Sequence, residues 1–160
     1  MELKLKSEGI TYDVALYCEV ENAELDEMWS FVKNKKNQRW LWLAINHDNK
    51  EIIAYTFGRR QDKVFHAFQK MLEPLGITMH YTDDWGSYNH IKDNQHTVGK
   101  KNTQAIERTN LTFRTRIKRL ARKTICYSKS VFMHDTVIGL VINILAFDWF
   151  STSRLNVFRT

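Results

Sequence analysis

From residue 14 to Gly58 the chain carries three runs rich in β-branched and aromatic residues, separated by two polar turns, Lys33-Asn-Lys-Lys-Asn-Gln38 and Asn46-His-Asp-Asn49. Runs of this length, bounded by turn residues, read as strands. Residues 14–32, Arg39–Ile45 and Glu51–Phe57 are therefore predicted to form an antiparallel meander closed by Gly58. A change of period follows. Apolar side chains at Val64, Phe65, Phe68, Met71 and Leu72 recur at helical spacing after Asp62, and Pro74 with Gly76 stops the run. A fourth strand is expected over Ile77–Tyr81 and a fifth around His96–Val98. A basic helix is expected over Thr103–Lys123, and a last helix, capped by Ser128 or Ser130, from Val131 to about Phe147. The order βββαβαβαα suits an α/β domain of RNase H-like fold. Such a fold has a mixed sheet of about five strands, three antiparallel and then parallel ones, with helices on both faces.

Three acids stand in unlike settings along that pattern. Asp26 lies inside the apolar, aromatic run Glu24-Leu-Asp-Glu-Met-Trp-Ser-Phe-Val32. Asp83 ends the fourth strand in Met79-His-Tyr-Thr-Asp-Asp-Trp-Gly-Ser-Tyr88. Glu107 opens the basic helix in Thr103-Gln-Ala-Ile-Glu-Arg-Thr-Asn-Leu111. Long spacers separate them, so only the fold can bring them together. Taken singly, an Asp at a strand end is a turn former and a Glu in a first helical turn complements the helix dipole. Together they have the composition of a magnesium site, because hard divalent cations favour carboxylate oxygens.

At these residues the chain resembles the DDE transposases of the insertion sequence 1 family. The resemblance runs from about Val14 to Asn143 and includes Gln38-Arg-Trp-Leu, Thr82-Asp83, Ile106-Glu-Arg, Ser128-Lys-Ser-Val, His134-Asp and Val137-Ile-Gly. It implies the same RNase H-like fold and a catalytic domain that cuts DNA to free a 3′-hydroxyl and joins that end to target DNA. Asp26, Asp83 and Glu107 would be the catalytic and metal-binding acids, holding two Mg²⁺ or Mn²⁺ ions. Two features depart from the family pattern: Asp84 stands where a Gly is usual, and Thr109 where a His is usual. A Thr at that place can hydrogen-bond a phosphate oxygen but supplies no imidazole.

Charge agrees with a polyanionic partner. Lys and Arg number 24 against 18 acids, a net charge of +6, and basic side chains concentrate around the third acid. Lys100, Lys101, Arg108, Arg114, Lys118 and Arg122 are the expected DNA contacts; Glu107, Asn110, Arg114 and Lys118 would share one helical face. Trp85 and Tyr88, which follow Asp83, suit either packing or stacking on an unpaired base. His134-Asp135 is expected to be a packing pair, and no histidine has metal-ligand spacing.

The two cysteines, Cys18 and Cys126, belong to no Cys-x-x-Cys pair, and the apolar stretch Val137–Phe147 is shorter than the roughly 20 residues of a bilayer span. A cytoplasmic, nucleoid-associated protein is expected, with no membrane partner. The expected divisions are an N-terminal extension over 1–13, the catalytic domain over 14–150 and a tail over 151–160. With about 25 residues ahead of Asp26, the DNA-recognition segments implied by the resemblance are expected from an upstream reading frame fused by frameshifting. The resemblance also implies a homo-oligomer on element ends and target DNA. A nuclease without strand transfer, or a noncatalytic DNA-binding regulator, is the competing reading.

Overall fold

A computed structural model describes residues 20–83 and 85–157. The expected extension 1–13, Cys18, Asp84 and the end of the expected tail lie outside the described residues. Strands β1 (Asn22–Phe31), β2 (Gln38–Asn46) and β3 (Ile52–Gly58) form the meander, followed by helix α1 (Asp62–Leu72), β4 (Met79–Thr82), β5 (His96–Val98), α2 (Gln104–Arg116) and α3 (Val131–Val157). The sheet order is β3-β2-β1-β4-β5. β1 pairs antiparallel with β2 and parallel with β4, and β4 pairs parallel with β5. This is the mixed sheet of an RNase H-like fold, with β1 at its centre.

Alternation along the central strand divides the core in two. Ala23 and Leu25 face one side with Trp42, Ala44, Phe65 and Phe68, against α1. Met28 faces the other with Leu41, Leu43, Ile106, Phe113 and Ile138, under α2 and α3. Helices therefore cover both faces, and the even positions 24, 26, 28 and 30 of β1 lie towards α2 and α3. Gly58 ends β3 where a Cβ would come within 2.6 Å of Val64. Only a glycine lets the first turn of α1 lie so close.

Three elements differ from the sequence reading. Between β4 and β5 the chain makes 3₁₀ turns over Gly86–His90 and Asp93–Gln95 instead of an α-helix. Residues three apart eclipse in a 3₁₀ turn, which lets Trp85 and Tyr88 pack together in a segment rich in turn formers. The basic helix ends at Arg116, and Ile117 is extended before a 3₁₀ turn over Lys118–Leu120. Phe113, Ile117 and Leu120 are buried either way, so apolar spacing could not reveal the break. α3 stays helical through Val157, past the end expected near Phe147. Its start matches: the Ser130 hydroxyl accepts the Met133 amide at 3.2 Å. No helix among the described residues is long and apolar enough to cross a membrane.

Candidate active site

The centre of the site is the far half of β1. The β1–β4 ladder pairs Glu24 with Tyr81, and continuing that register by two residues sets Asp83 beside Asp26. Asp83 stands just beyond the C-terminal end of β4, where open α/β sheets collect ligands. The turn after it is anchored locally, since the Trp85 amide donates to Asp83 Oδ1 at 3.1 Å.

Asp26 is half-buried and crowded by acids. Its Oδ1 accepts the Glu27 amide at 2.9 Å and its Oδ2 accepts the Asn110 side-chain amide at 2.6 Å. Burial raises its pKa to about 7, with further increments from the charges of Glu27 and Asp83 and only partial relief from those two hydrogen bonds. Asn110 is itself buried, and its Oδ1 has no hydrogen-bond partner. A buried, unpaired acceptor beside a carboxylate that resists ionisation is the polarity a cation or its bound water relieves.

Helix α2 is fixed against this strand by two carboxylates. Buried Glu24 accepts the Ile106 amide at 2.9 Å on Oε2, satisfying a free donor in the first turn, while Asp26 takes Asn110. Two strand residues span about 6.6 Å and four helical residues about 6.0 Å, so one helical register meets both acids. The other oxygen of Glu24 takes His47 Nδ1 at 2.8 Å and Lys50 Nζ at 3.2 Å. His47 in turn stacks on Tyr81 at 4.5 Å.

The expected acids are thus treated unequally. Asp26 and Asp83 interact electrostatically. Glu107 is exposed on α2, three residues before Asn110 on the same helical face. As the side chains stand, no three His, Cys, Asp or Glu groups among the described residues gather to chelate a metal ion. Of the expected DNA contacts, Lys100 and Lys101 lie in a 3₁₀ turn before α2, and Arg108 is exposed on its first half. Arg114 is half-buried, and its pKa is lowered by burial and by Arg122. The break at Ile117 removes Lys118 from the helical face it was expected to share with Glu107. Arg122 lies over the Trp29 ring at 5.2 Å. The Thr109 hydroxyl donates to Ala105 O at 3.1 Å, so its proton is committed to the helix.

Sequence reasoning assigned no role to Glu24, Glu27 or Arg60, and placed Asn110 on the face of Glu107 without a role of its own. On the α1 face, Glu27 accepts the Tyr88 hydroxyl at 2.6 Å and Arg60 Nε at 2.7 Å. Its pKa is raised, chiefly by burial. The signal available was the acid spacing in Glu24-Leu-Asp-Glu27, which puts carboxylates on both faces of one buried strand. Trp85 and Tyr88 belong to the core packing, with Trp85 5.1 Å from Trp42 and Tyr88 edge-on to Phe65 at 5.2 Å. Farther along β1, Ser30 meets His134 Nε2 at 2.9 Å, and Ser128 meets His134 Nδ1 at 2.9 Å and Arg119 at 2.9 Å. Asp135 pairs with Arg39, its Oδ1 accepting Arg39 Nε at 3.0 Å. His134 and Asp135, expected to pack, thus both have hydrogen-bond partners within the fold.

With the acids on β1, after β4 and on the helix after β5, the arrangement invites comparison with known proteins. The family model described as IS1 transposase matches residues 18–148. The chain belongs to the IS1 transposase family. It is 52% identical over 130 residues to the insertion element iso-IS1n protein InsB of Shigella dysenteriae, covering 81% of this chain and 95% of that protein. It is 40% identical over 123 residues to the insertion element IS1 protein InsB of Shigella sonnei, covering 76% and 94%. Among solved structures, the catalytic core domain of the HTLV-2 integrase, determined with magnesium, superimposes with a TM-score of 0.47 at 14% identity, covering 64% of this chain and 73% of that one. This member of the IS1 family is a DDE transposase catalytic domain.

Proposed function

We propose that Asp26, Asp83 and Glu107 are the three acids of this transposase, that they hold divalent cations, and that the domain cuts a phosphodiester and transfers the freed 3′-hydroxyl to a second duplex. The observation that carries the reading is Asp26. Its carboxyl is crowded by two other acids and lies beside an unpaired buried acceptor, a setting whose electrostatic cost is offset when positive charge is present. The donors are all hard oxygens, which fits magnesium or manganese. Divalent cations held there would neutralise the charge that builds on the attacking and leaving oxygens of a phosphodiester.

The chain's own groups have separate tasks. Asp26 sits at the centre of the sheet, fixed by the Glu27 amide and Asn110, so it cannot swing away when phosphate approaches. Asp83 approaches it from the neighbouring strand end. Glu107, exposed one helical turn before Asn110, is free to turn inward and complete the set. Lys100, Lys101 and Arg108 flank that turn of α2 and would bind phosphates along the DNA path, with Arg114, Lys118 and Arg122 beyond. No side chain is needed as a covalent nucleophile, because water and then the DNA 3′-end attack in turn.

The catalytic unit spans 14–150 in this reading and works as a homo-oligomer on paired ends, with sequence recognition supplied by a segment from an upstream reading frame. The test is whether the protein, given Mg²⁺ and a precleaved element end, joins that end to a second duplex. Joining that survives Asp83→Asn would contradict the assignment. Cleavage without joining would favour a nuclease.

A further inference from the structure

Arg60 is an exposed arginine whose guanidinium meets two rings and a buried carboxylate. Its guanidinium carbon lies 4.9 Å from the Trp40 ring centroid and 4.5 Å from that of Trp85. Its Nε donates to Glu27 Oε1 at 2.7 Å, and its Nη2 pairs with the same carboxylate. The other oxygen of Glu27 accepts the Tyr88 hydroxyl at 2.6 Å. Both groups that Glu27 reaches therefore lead to the turn that follows Asp83: Tyr88 directly, and Trp85 through the face of Arg60.

Trp85 is the link back to the site. Its amide holds Asp83 Oδ1, and its ring is clamped between Arg60 and Trp42 while Tyr88 meets it edge-on at 5.5 Å. The Tyr88 amide also returns to Trp85 O at 3.0 Å. Glu27 is the β1 neighbour of Asp26 but points to the opposite face of the sheet, so one strand holds the first acid on one side and the turn of the second acid on the other. A planar cation with a fixed fork suits this place, since it stacks on two aromatic faces and donates along its edge.

We infer that Arg60 is a positioning residue of this transposase: locked to Glu27 and sandwiched by Trp40 and Trp85, it sets where Asp83 stands relative to Asp26 when a divalent cation binds. The inference rests on the proposed function, because it takes those two acids as cation ligands. Positioning and simple electrostatics predict opposite signs. Removing a positive charge near acids strengthens cation binding by Coulomb's law alone, whereas loosening the support of a ligand weakens it.

The experiment is titration calorimetry of the full chain with Mn²⁺, with thermal unfolding followed for every variant. Asp26→Asn and Asp83→Asn come first; if wild type binds no Mn²⁺, or binds it no better than these two variants, it is the proposed function that fails. With that control passed, Arg60→Met is expected to weaken Mn²⁺ binding about 10-fold, the lower end for supporting residues around metal ligands. Tyr88→Phe, which changes no charge and removes one hydrogen bond to Glu27, is expected to weaken it by up to about 10-fold. Arg60→Lys keeps the charge but loses the fork, so it too is expected to weaken binding. Affinity that is unchanged or tighter in Arg60→Met, or unchanged in both Arg60→Lys and Tyr88→Phe, overturns the inference. Should Arg60→Met not fold, the last two variants decide it.

Discussion

Two buried polar clusters lie on the same face of β1, four residues apart, and they are built on opposite principles. Around Ser30 every group is satisfied. The Ser30 hydroxyl donates to Arg39 O at 3.2 Å and meets His134 Nε2, Ser128 meets His134 Nδ1, and Arg119 donates to Ser128. A neutral imidazole can donate from Nε2 to Ser30 and accept at Nδ1 from Ser128, and burial with the charges of Arg39 and Arg119 lowers the His134 pKa to about 4. Around Asp26 the opposite holds: a carboxylate is pushed towards protonation and a buried amide oxygen is left without a donor. The first cluster stabilises the fold. The second leaves an acid and an amide oxygen short of positive charge, the setting that the proposed cation site would relieve at some cost in stability.

The largest effect expected from breaking the contrast is on activity. Asp26→Asn and Asp83→Asn should each reduce Mg²⁺-dependent DNA cleavage by roughly 10³-fold or more, since several kcal/mol of charge stabilisation go with the ligand. DNA affinity measured without metal should change little. A variant retaining a tenth of wild-type cleavage would put the acid outside the site.

Next comes the stability of the metal-free protein. Asp26 has a folded pKa near 7 against an ordinary carboxyl value of 3.8, so the folded state holds a proton that the unfolded chain has released between those limits. Its contribution is therefore retained at low pH and lost as pH rises through about 7. At roughly 1.4 kcal/mol per pKa unit the loss is at most about 4 kcal/mol. Asp26→Asn should accordingly be more stable than wild type at pH 8, with the gain vanishing near pH 4, in urea unfolding with chelator present. Equal stability at pH 8 would show that Asp26 carries no such strain.

The satisfied cluster should respond the other way. His134→Ala leaves two buried hydroxyls short of partners and should cost about 2–3 kcal/mol in the same unfolding experiment. Because its folded pKa is depressed, the share of stability from His134 is present above the unfolded value of about 6.5 and lost as pH falls towards 4. Rates per folded molecule should stay near wild type. The smallest effect concerns the DNA path: Arg108→Ala should lower the slope of log affinity against log salt by about 0.9, the share of one phosphate contact. An unchanged slope would remove Arg108 from that path.

Much of this was legible before any coordinates. The strand order and helices α1, α2 and α3 followed from period changes and turn residues, the helix expected between β4 and β5 did not form, and Asp26, Asp83 and Glu107 stood out by placement and by family resemblance. What sequence did not announce were the partners that these elements meet in space. Nothing local marks Glu24 as the carboxylate that meets the first turn of α2, or Arg60 as the cation between two tryptophans, because each is defined by contacts across the sheet. The break of the basic helix at Ile117 was hidden for a different reason: a 3₁₀ turn keeps Ile117 and Leu120 buried much as a helix would.

The most direct test of the shared cation site is a crystal structure of the chain grown with Mn²⁺, read by anomalous scattering. Density between Asp26 and Asp83, with carboxylate oxygens at roughly 2.1 Å and the Glu107 side chain turned in to join them, is the expected result. Manganese found only elsewhere on the molecule, or bound with Asp26 still held solely by the Glu27 amide and Asn110, would contradict it.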